Sequence, residues 1–445
     1  MRRRALLGMG LAIVANAATR QSVAMGRVPV GGTASVRVPH DTAQIDPHDL
    51  TDPMAALVGA SVFEPVFRLD AQGNPYPSLA ERLPVRDGVH TVVTLREGLR
   101  SSRGKALDAR DLVFSIDRVR GRGAAALLGA VPKPTVARSN PRSVVFRGMD
   151  PEQLARLMAS PILALIARGS SPTEPDGTGA FRADPSPDAL VLTRNRQAAR
   201  GASFLDKVTL YRASSLSEPL RAFEANEVDI GWLGAGYHQQ RADAVAFDFG
   251  LAAWIVLRTG TEAGAWHAAG VAQRLLDGIP PARLAHLALG NLPAESGAML
   301  WGGEPCQLVV GARSPHLVEV ANAIAAILSA PGHEITPFPV AEAELERRRR
   351  AGAFGLMIDV VRPVGPAGVA TLIALAAADD PERAKSIVRA PPRLGSFAPR
   401  VLARTLGLGV LGELRIAGAA IRGLRLAPLG DGYGWDLGGA YRVGA

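Results

Sequence analysis

From position 33 the chain alternates polar and apolar residues through Thr33 to Val38 (TASVRV), the period of a strand with one face buried. Asp46-Pro47-His48 reads as loop, and Pro53 opens a helix whose apolar positions Ala55, Ala56, Val58, Gly59 and Val62 follow a mixed period. Val66 to Leu69 and the alternating Val89 to Leu95 (VHTVVTL) read as a strand pair around a glycine-containing loop, with a turn at Asp70 to Asn74. Asp108 stands where an N-cap belongs, ahead of Arg110 to Arg118 (RDLVFSIDR), in which Leu112, Val113 and Ile116 recur at helical spacing. The first third is therefore mixed α and β.

The proline-, glycine- and aspartate-rich Ser170 to Gly179 marks a segment boundary. Beyond it Leu190 to Thr193 and Lys207 to Arg212 are rich in strand formers. Ser217 to Asn226 (SEPLRAFEAN) has the capping serine and early proline of a helix, and Val228 to Leu233 closes a strand-helix-strand unit. A second α/β lobe follows in the order Leu308 to Val310, a helix around His316 to Leu328, Glu334 to Phe338, a helix around Ala341 to Arg350, and Phe354 to Val361. Arg404, Glu413, Arg415, Arg422 and Arg425 interrupt the apolar C-terminal region, which excludes a membrane-spanning helix there. No internal repeat is present.

The N-terminus has a different pattern. Arg2 to Arg4 precede the apolar Ala5 to Ala15, and small residues follow at Ala15-Asn16-Ala17 and again near Ser22 to Ala24. That order of charged, apolar and small zones is the order of a signal peptide, with about eleven apolar residues, too few to span a bilayer. Residues 1–27 are accordingly expected to be signal and leader, by the Sec or twin-arginine route, and the mature protein to be periplasmic.

Composition changes little. With 445 residues, 47% of them apolar, the chain is long enough for two or three packed domains. The net charge of +9 suggests polyanions at first sight, yet 46 of the 50 basic residues are arginine, a compositional bias. The densest basic run, Arg347 to Arg350, follows Glu342, Glu344 and Glu346 without interleaved aromatics and reads as a solvated helix face, so no nucleic-acid partner is expected. Cys306 is alone, forms no internal disulfide, and reads as a small buried apolar residue.

Signatures of catalysis fail on spacing. H-E-x-x-H, G-x-S-x-G and metal-type Cys/His clusters are absent. Gly98 to Lys105 (GLRSSRGK) has five residues between its glycines and Ala106 where a phosphate loop needs Ser or Thr, and Arg182 replaces the third glycine of a dinucleotide fingerprint after Gly177-Thr178-Gly179. The eight scattered histidines read as structural or surface residues. The chain is read as no enzyme, with no catalytic residues, cofactor or metal.

Ile45-Asp46-Pro47-His48, Val62 to Asp70 (VFEPVFRLD), Pro77 to Leu83 (PSLAERL), Leu95 to Gly98, Gly104 to Ser115 (GKALDARDLVFS), Gly177 to Arg182 (GTGAFR), Arg194-Asn195, Phe204 to Val208 and Leu220 to Ile230 occur in an order and spacing that resemble the family 5 extracellular solute-binding proteins, the peptide- and nickel-type receptors of ABC importers. The resemblance implies an α/β, bilobed periplasmic-binding-protein fold with two α/β lobes, a hinge and an inserted subdomain in the first lobe. It divides the chain into domain I at 28–65, 176–257 and 425–445, domain II at 66–175 and domain III at 258–424. It further implies a monomeric receptor that encloses a peptide, another organic solute or a metal chelate between its lobes and delivers it to an ABC permease. The alternative is a receptor-like scaffold, sensor or chaperone without transport.

One segment departs from the pattern. Peptide-binding relatives carry a Trp and an Asp after the strand equivalent to Phe354 to Ile358, the Asp neutralising the peptide amino terminus; here GLMIDVVRPVGP offers Asp359 and Arg362 and no tryptophan. The resemblance implies that Trp232 and Tyr237 line the cleft, the alternative being that Trp232 is core, and that Arg362 meets an anionic group of the ligand, the alternatives being an internal pair with Asp359 or an exposed arginine without a role. Asp359 is left two alternatives, an internal pair with Arg362 or a cationic group of the ligand.

Overall fold

The computed structural model describes residues 28–70, 72–128, 131–232, 243–290, 299–365, 369–389, 398–429 and 434–443. Strand β1 (Thr33–Val38) buries Ala34, Val36 and Val38, as its alternation predicts. Helix α1 (Pro53–Val62) starts where Asp52 accepts from the backbone N–H groups of Met54 and Ala55 at 2.8 and 3.0 Å and Pro53 fills the first turn. Strand β2 (Phe67–Leu69) pairs with β3 (Pro75–Pro77) across the turn at Asp70 to Asn74, where Gly73 takes a φ of 81°. This corrects the expected pairing of Val66 to Leu69 with Val89 to Leu95, because a five-residue turn closes locally before a distant partner is reached.

The 89–95 segment instead supplies β5 (His90–Thr94) to a separate antiparallel sheet with β4 (Val85–Asp87), β6 (Thr135–Val136) and β7 (Ser143–Arg147), in the order β4-β5-β7-β6. Over it lies α2 (Ala109–Arg120), opened by a reciprocal capping box between Asp108 and Asp111, and α3 (Pro151–Leu157) follows. Next come β8 (Phe181–Pro185), β9 (Ala189–Arg194), β10 (Lys207–Arg212), α4 (Glu218–Glu224) and β11 (Ile230–Trp232). Ser217 precedes α4 but makes no capping bond; its hydroxyl accepts from Arg221 instead.

The remaining elements are β12 (Ala244–Thr259), α5 (Val271–Asp277), α6 (Pro281–Leu284), β13 (Cys306–Gly311), α7 (Pro315–Leu328), β14 (Ile335–Val340), α8 (Glu342–Ala351), β15 (Leu356–Val361), α9 (Val369–Asp379), α10 (Pro381–Arg389), α11 (Ala398–Ala403) and β16 (Leu408–Ile421). Ten strands form one sheet in the order β14-β13-β15-β12-β16-β11-β1-β10-β9-β8. Strands β12 and β16, of 16 and 14 residues, join its two ends. Their antiparallel pairing shifts register between Asp248 and Leu251, between Leu251 and Ala253, and between Ile255 and Val256, and such bulges bend and twist a strand pair. One half of β12 therefore lies among the strands of the first lobe, and the other half pairs with β15 of the second.

Two apolar cores follow from this layout. One runs beneath the ten-stranded sheet and includes Val36, Phe181, Ile230, Ile255, Leu308 and Ile358. The other joins the small antiparallel sheet to helices α9 to α11, with Leu112 and Phe146 in the same cluster as Leu375, Leu402 and Val410. Segments far apart in sequence thus share cores, and no described helix is long and apolar enough to cross a membrane. Cys306 is half-buried rather than buried, and what burial it has pushes its thiol up to about 11. In α8 the basic run is not uniformly solvated: Arg347 and Arg350 are exposed, whereas Arg349 turns inward to Asp359.

Candidate functional site

The loop between β1 and α1 is fixed by charge. Asp46 takes both terminal nitrogens of Arg118, at 2.6 and 2.7 Å, and Arg122 at 3.1 Å. Burial alone would raise the Asp46 carboxyl, but this bidentate guanidinium contact brings it below the usual carboxylate range. Arg118 also donates to His48 Nδ1 at 3.0 Å, so His48 carries its proton on Nε2 and donates it to the Ala164 carbonyl at 2.8 Å. Asp52 accepts from the Asp46 N–H at 2.6 Å besides capping α1, yet its burial pushes the carboxyl up to about 7.

Arg362 follows β15 and crosses to that loop. Its backbone N–H donates to the Leu50 carbonyl at 2.9 Å and its guanidinium donates to the Pro47 carbonyl. The side chain is only 4% exposed, no described carboxylate lies within ion-pair distance, and Nε has no hydrogen-bond partner. Burial lowers its pKa, with Asp52, Asp49 and Asp46 acting weakly the other way. A buried guanidinium without a carboxylate is costly unless something else satisfies it.

Arg362 lines a cavity of about 110 Å³ with Glu64, Arg68, Phe63, Leu251 and Trp435 among its walls. Helix α1 forms one side, with Gly59 against the guanidinium: a Cβ there would stand 3.6 Å from the Arg362 terminal nitrogen, an ordinary contact. Trp435 is held by its indole N–H donating to the Leu57 carbonyl at 2.7 Å. Glu64 is also buried; its nearest cation, Arg200, is 3.9 Å away, and the Thr178 hydroxyl lies beside its carboxyl. Burial raises its carboxyl above the ordinary range.

Of the other residues expected at the cleft, Asp359 and Trp232 do not line this cavity. Asp359 is buried beside Arg258, at 3.2 Å, and Arg349, at 2.9 Å, and is not paired with Arg362. It borders a separate hollow of about 30 Å³ with Asp41, Asp49 and Glu342. Trp232 ends β11, is 5% exposed, and packs against His40 and His316 with ring centroids 6.0 and 5.5 Å away. It does not line the 110 Å³ cavity. Tyr237 lies outside the described residues. Glu64 and Trp435 were not singled out from sequence: Glu64 occurs inside VFEPVFRLD, but a lone glutamate beside proline carries no chemical signature.

The three buried histidines give a pH dependence. Burial holds His316 and His48 down at about 4 and His40 well below its usual value. Between about pH 4 and 6.5 the unfolded chain binds more protons at His316 and His48, so their contribution to stability is complete above pH 6.5 and is lost as pH falls toward 4, and His40 acts in the same direction. Asp52 and Glu342, both raised to about 7, act oppositely, because the folded state keeps their protons and stability falls as pH rises toward 7. His316→Asn isolates one histidine from this balance. Urea unfolding at pH 4.5 and 7 should show the variant losing less stability on acidification than the parent, by up to about 3 kcal/mol at 1.36 kcal/mol per pKa unit. An unchanged difference would mean that His316 is not held neutral.

Comparison with known proteins adds three findings. Residues 74–253 match the model described as bacterial extracellular solute-binding proteins, family 5 middle region. A dipeptide-binding protein of Lactococcus lactis subsp. cremoris is 37% identical over 99 residues, which is 21% of this chain and 18% of that protein. Among solved structures, the peptide-binding pheromone receptor PrgZ superposes with a TM-score of 0.70 at 14% identity, over 93% of this chain and 100% of that one. DppA of Helicobacter pylori in complex with the peptide STSA gives 0.69 at 14% identity, over 93% and 98%. AppA of Bacillus subtilis in complex with a nonapeptide gives 0.67 at 12% identity, over 94% and 100%. At such identities these superpositions establish the fold, which is the α/β periplasmic-binding-protein fold.

Proposed function

We propose, from the match of residues 74–253 to the model of the family 5 middle region, that this chain is an exported receptor that encloses a peptide or other small organic solute between its lobes and hands it to an ABC permease. The expected division into domain I at 28–65, 176–257 and 425–445, domain II at 66–175 and domain III at 258–424 belongs to the same proposal. So do its periplasmic location and its action as a monomer without covalent chemistry. In such a receptor, ligand that touches both lobes shifts the population toward the closed state.

The observation that carries the reading is Arg362, a buried guanidinium that lacks a described carboxylate and lines a cavity shared with α1 of the other lobe. An anionic group of the solute would supply the missing partner. Native mass spectrometry of protein purified from its own envelope identifies that solute, and calorimetric titration then compares Arg362→Ala with the parent. Affinity should fall by about 2–5 kcal/mol, as for truncation of a buried charge pair. A loss below about 0.5 kcal/mol, or an affinity loss matched by the loss of thermal stability, would reduce Arg362 to its bond with Pro47.

Export has its own check. N-terminal sequencing of envelope-fraction protein should start after Ala17 or Ala24, and an intact Met1 there would exclude cleavage.

A further inference from the structure

The small antiparallel sheet is apolar on both faces. Its inner face buries Val93, Val144 and Phe146 in one core with Leu112 of α2. A sheet with one packed face is expected to turn polar residues outward. Here the register sets Val85 of β4, Val92 of β5 and Val145 of β7 side by side on the outer face, with Thr135 of β6 ending the row. At about 4.8 Å between strands the row is roughly 14 Å long. Val85 is 44% exposed, and Val92 and Val145 are half-buried and join neither apolar core. Leu83, 44% exposed, precedes β4, and Val89, 64% exposed, stands at the tip of the β4–β5 hairpin. Single exposed apolar residues are ordinary, whereas a contiguous set marks a contact surface.

Charge gives the chemistry of the partner. Arg147 lies on the same outer face, Arg82 precedes Leu83 and Arg138 follows β6; all three are exposed and make no ion pair among the described residues. The acids nearby are Asp87, in one row with His90 and Arg147, Asp150, 3.9 Å from Arg86, and Glu81, 3.2 Å from Arg142. Over residues 66–175 seventeen Lys and Arg outnumber ten Asp and Glu, whereas residues 28–65 and 176–257 together hold six more acids than bases. Asp46 takes up Arg118 and Arg122, and an excess of basic residues remains. The exposed valines thus belong to the positive part of a polarised molecule, which an anionic surface orients toward itself.

A flat face of short aliphatic side chains rimmed by arginines suits a flat anionic layer, because the apolar groups enter the headgroup region while the guanidiniums stay level with the phosphates. None of these residues lines either hollow described above, so the face offers no groove to a peptide or helix. We propose that the outer face of the β4-β5-β7-β6 sheet docks on the anionic phospholipid headgroups of a membrane, seated by Leu83, Val85 and Val89 and held by Arg82, Arg138 and Arg147. Such docking involves no solute, so its success or failure is separate from that of the receptor reading.

The test is co-sedimentation of the mature protein with vesicles of phosphatidylcholine, alone or mixed with phosphatidylglycerol. Binding to the mixed vesicles at low salt should exceed binding to phosphatidylcholine at least fivefold, and should be lost at about 300 mM salt, where screening is strong. Arg82→Glu/Arg147→Glu should lower it at least fivefold. Lys207→Glu/Arg425→Glu, the same change of charge at exposed positions outside 66–175, should lower it less than twofold. Val85→Thr/Val89→Thr keeps the β-branched shape and the charge, and should lower it at least threefold. Unfolding midpoints equal to the parent's show that each variant is folded. Equal binding to both kinds of vesicle, equal effects of the two charge-reversed pairs, or full binding by the threonine pair would each overturn the inference. No binding to any vesicle would also overturn it and would leave the face to an acidic protein surface.

Discussion

Asp359→Ala should destabilise the protein by about 3–5 kcal/mol, the cost of removing one member of a buried ion cluster. The Asp359 carboxylate is 2% exposed and is shared by Arg258 from β12 and Arg349 from α8. Its removal leaves two guanidiniums facing each other with little solvent. Neither can escape by deprotonation, because an arginine side chain keeps its charge in proteins. Arg258 keeps its bond to the Ala378 carbonyl, and Arg349 keeps Glu346. The loss should therefore fall short of complete unfolding. The urea midpoint of Asp359→Ala measures it, and the double variant Asp359→Leu/Arg349→Met should recover part of it, since apolar replacement of a buried pair is often near neutral. A single-variant loss under about 1 kcal/mol would show that the cluster is hydrated and open. Because the cluster ties β15 to β12 and α8, the variant also tests whether the second lobe depends on this charge contact.

Gly418→Ala should cost more than about 3 kcal/mol, the upper part of the usual range for overpacking, because the obstacle is backbone. Gly418 lies on β16 between Trp232 of β11 and Phe247 of β12. An added Cβ would stand 2.2 Å from the Gly231 carbonyl oxygen and 3.1 Å from the Phe247 ring. A side chain can rotate away, but the Gly231 carbonyl belongs to the sheet. Strand β11 must separate from β16, and Trp232 moves with it away from His40 and His316. Expected observations are a large fall in the unfolding midpoint and a change in tryptophan fluorescence of the folded state. Gly423→Ala is the control: its nearest neighbour would be the Val443 carbonyl at 3.9 Å, an ordinary contact, so its effect should be small. If the two variants behaved alike, the crossing of β11 and β16 would not be the close approach described here.

These two sites mark the limit of what could be read from the chain in one dimension. Strand β1 was legible because one face of TASVRV is buried and the other is not, so burial writes itself into the alternation. The starts of α1 and α2 were legible because their signals are local: Pro53 fills the first turn of α1, and Asp108 meets the N–H of Arg110 two residues away. Ser217 shows the limit even there, since its hydroxyl had an arginine four residues on as a competing partner. The spacing of short motifs from Asp46 to Ile230 was enough for the family resemblance, and with it the fold class.

The sequence by itself determined the α/β character and most element positions, since each depends on periodicity or on contacts a few residues long. Tertiary structure alone decided the rest. Strands β12 and β16 escaped notice because the second half of β12 is buried on both faces, which erases the period of two. Asp359 looked available in sequence, and its neutralisation required Arg258, brought alongside by strand pairing, and Arg349, turned inward from a helix that otherwise reads as solvated. Glu64 and Arg362, almost three hundred positions apart, become parts of one cavity only when the end of β15 lies against the loop and helix that follow β1. A charge's meaning depends on what surrounds it, and those surroundings come from residues that no local spacing connects.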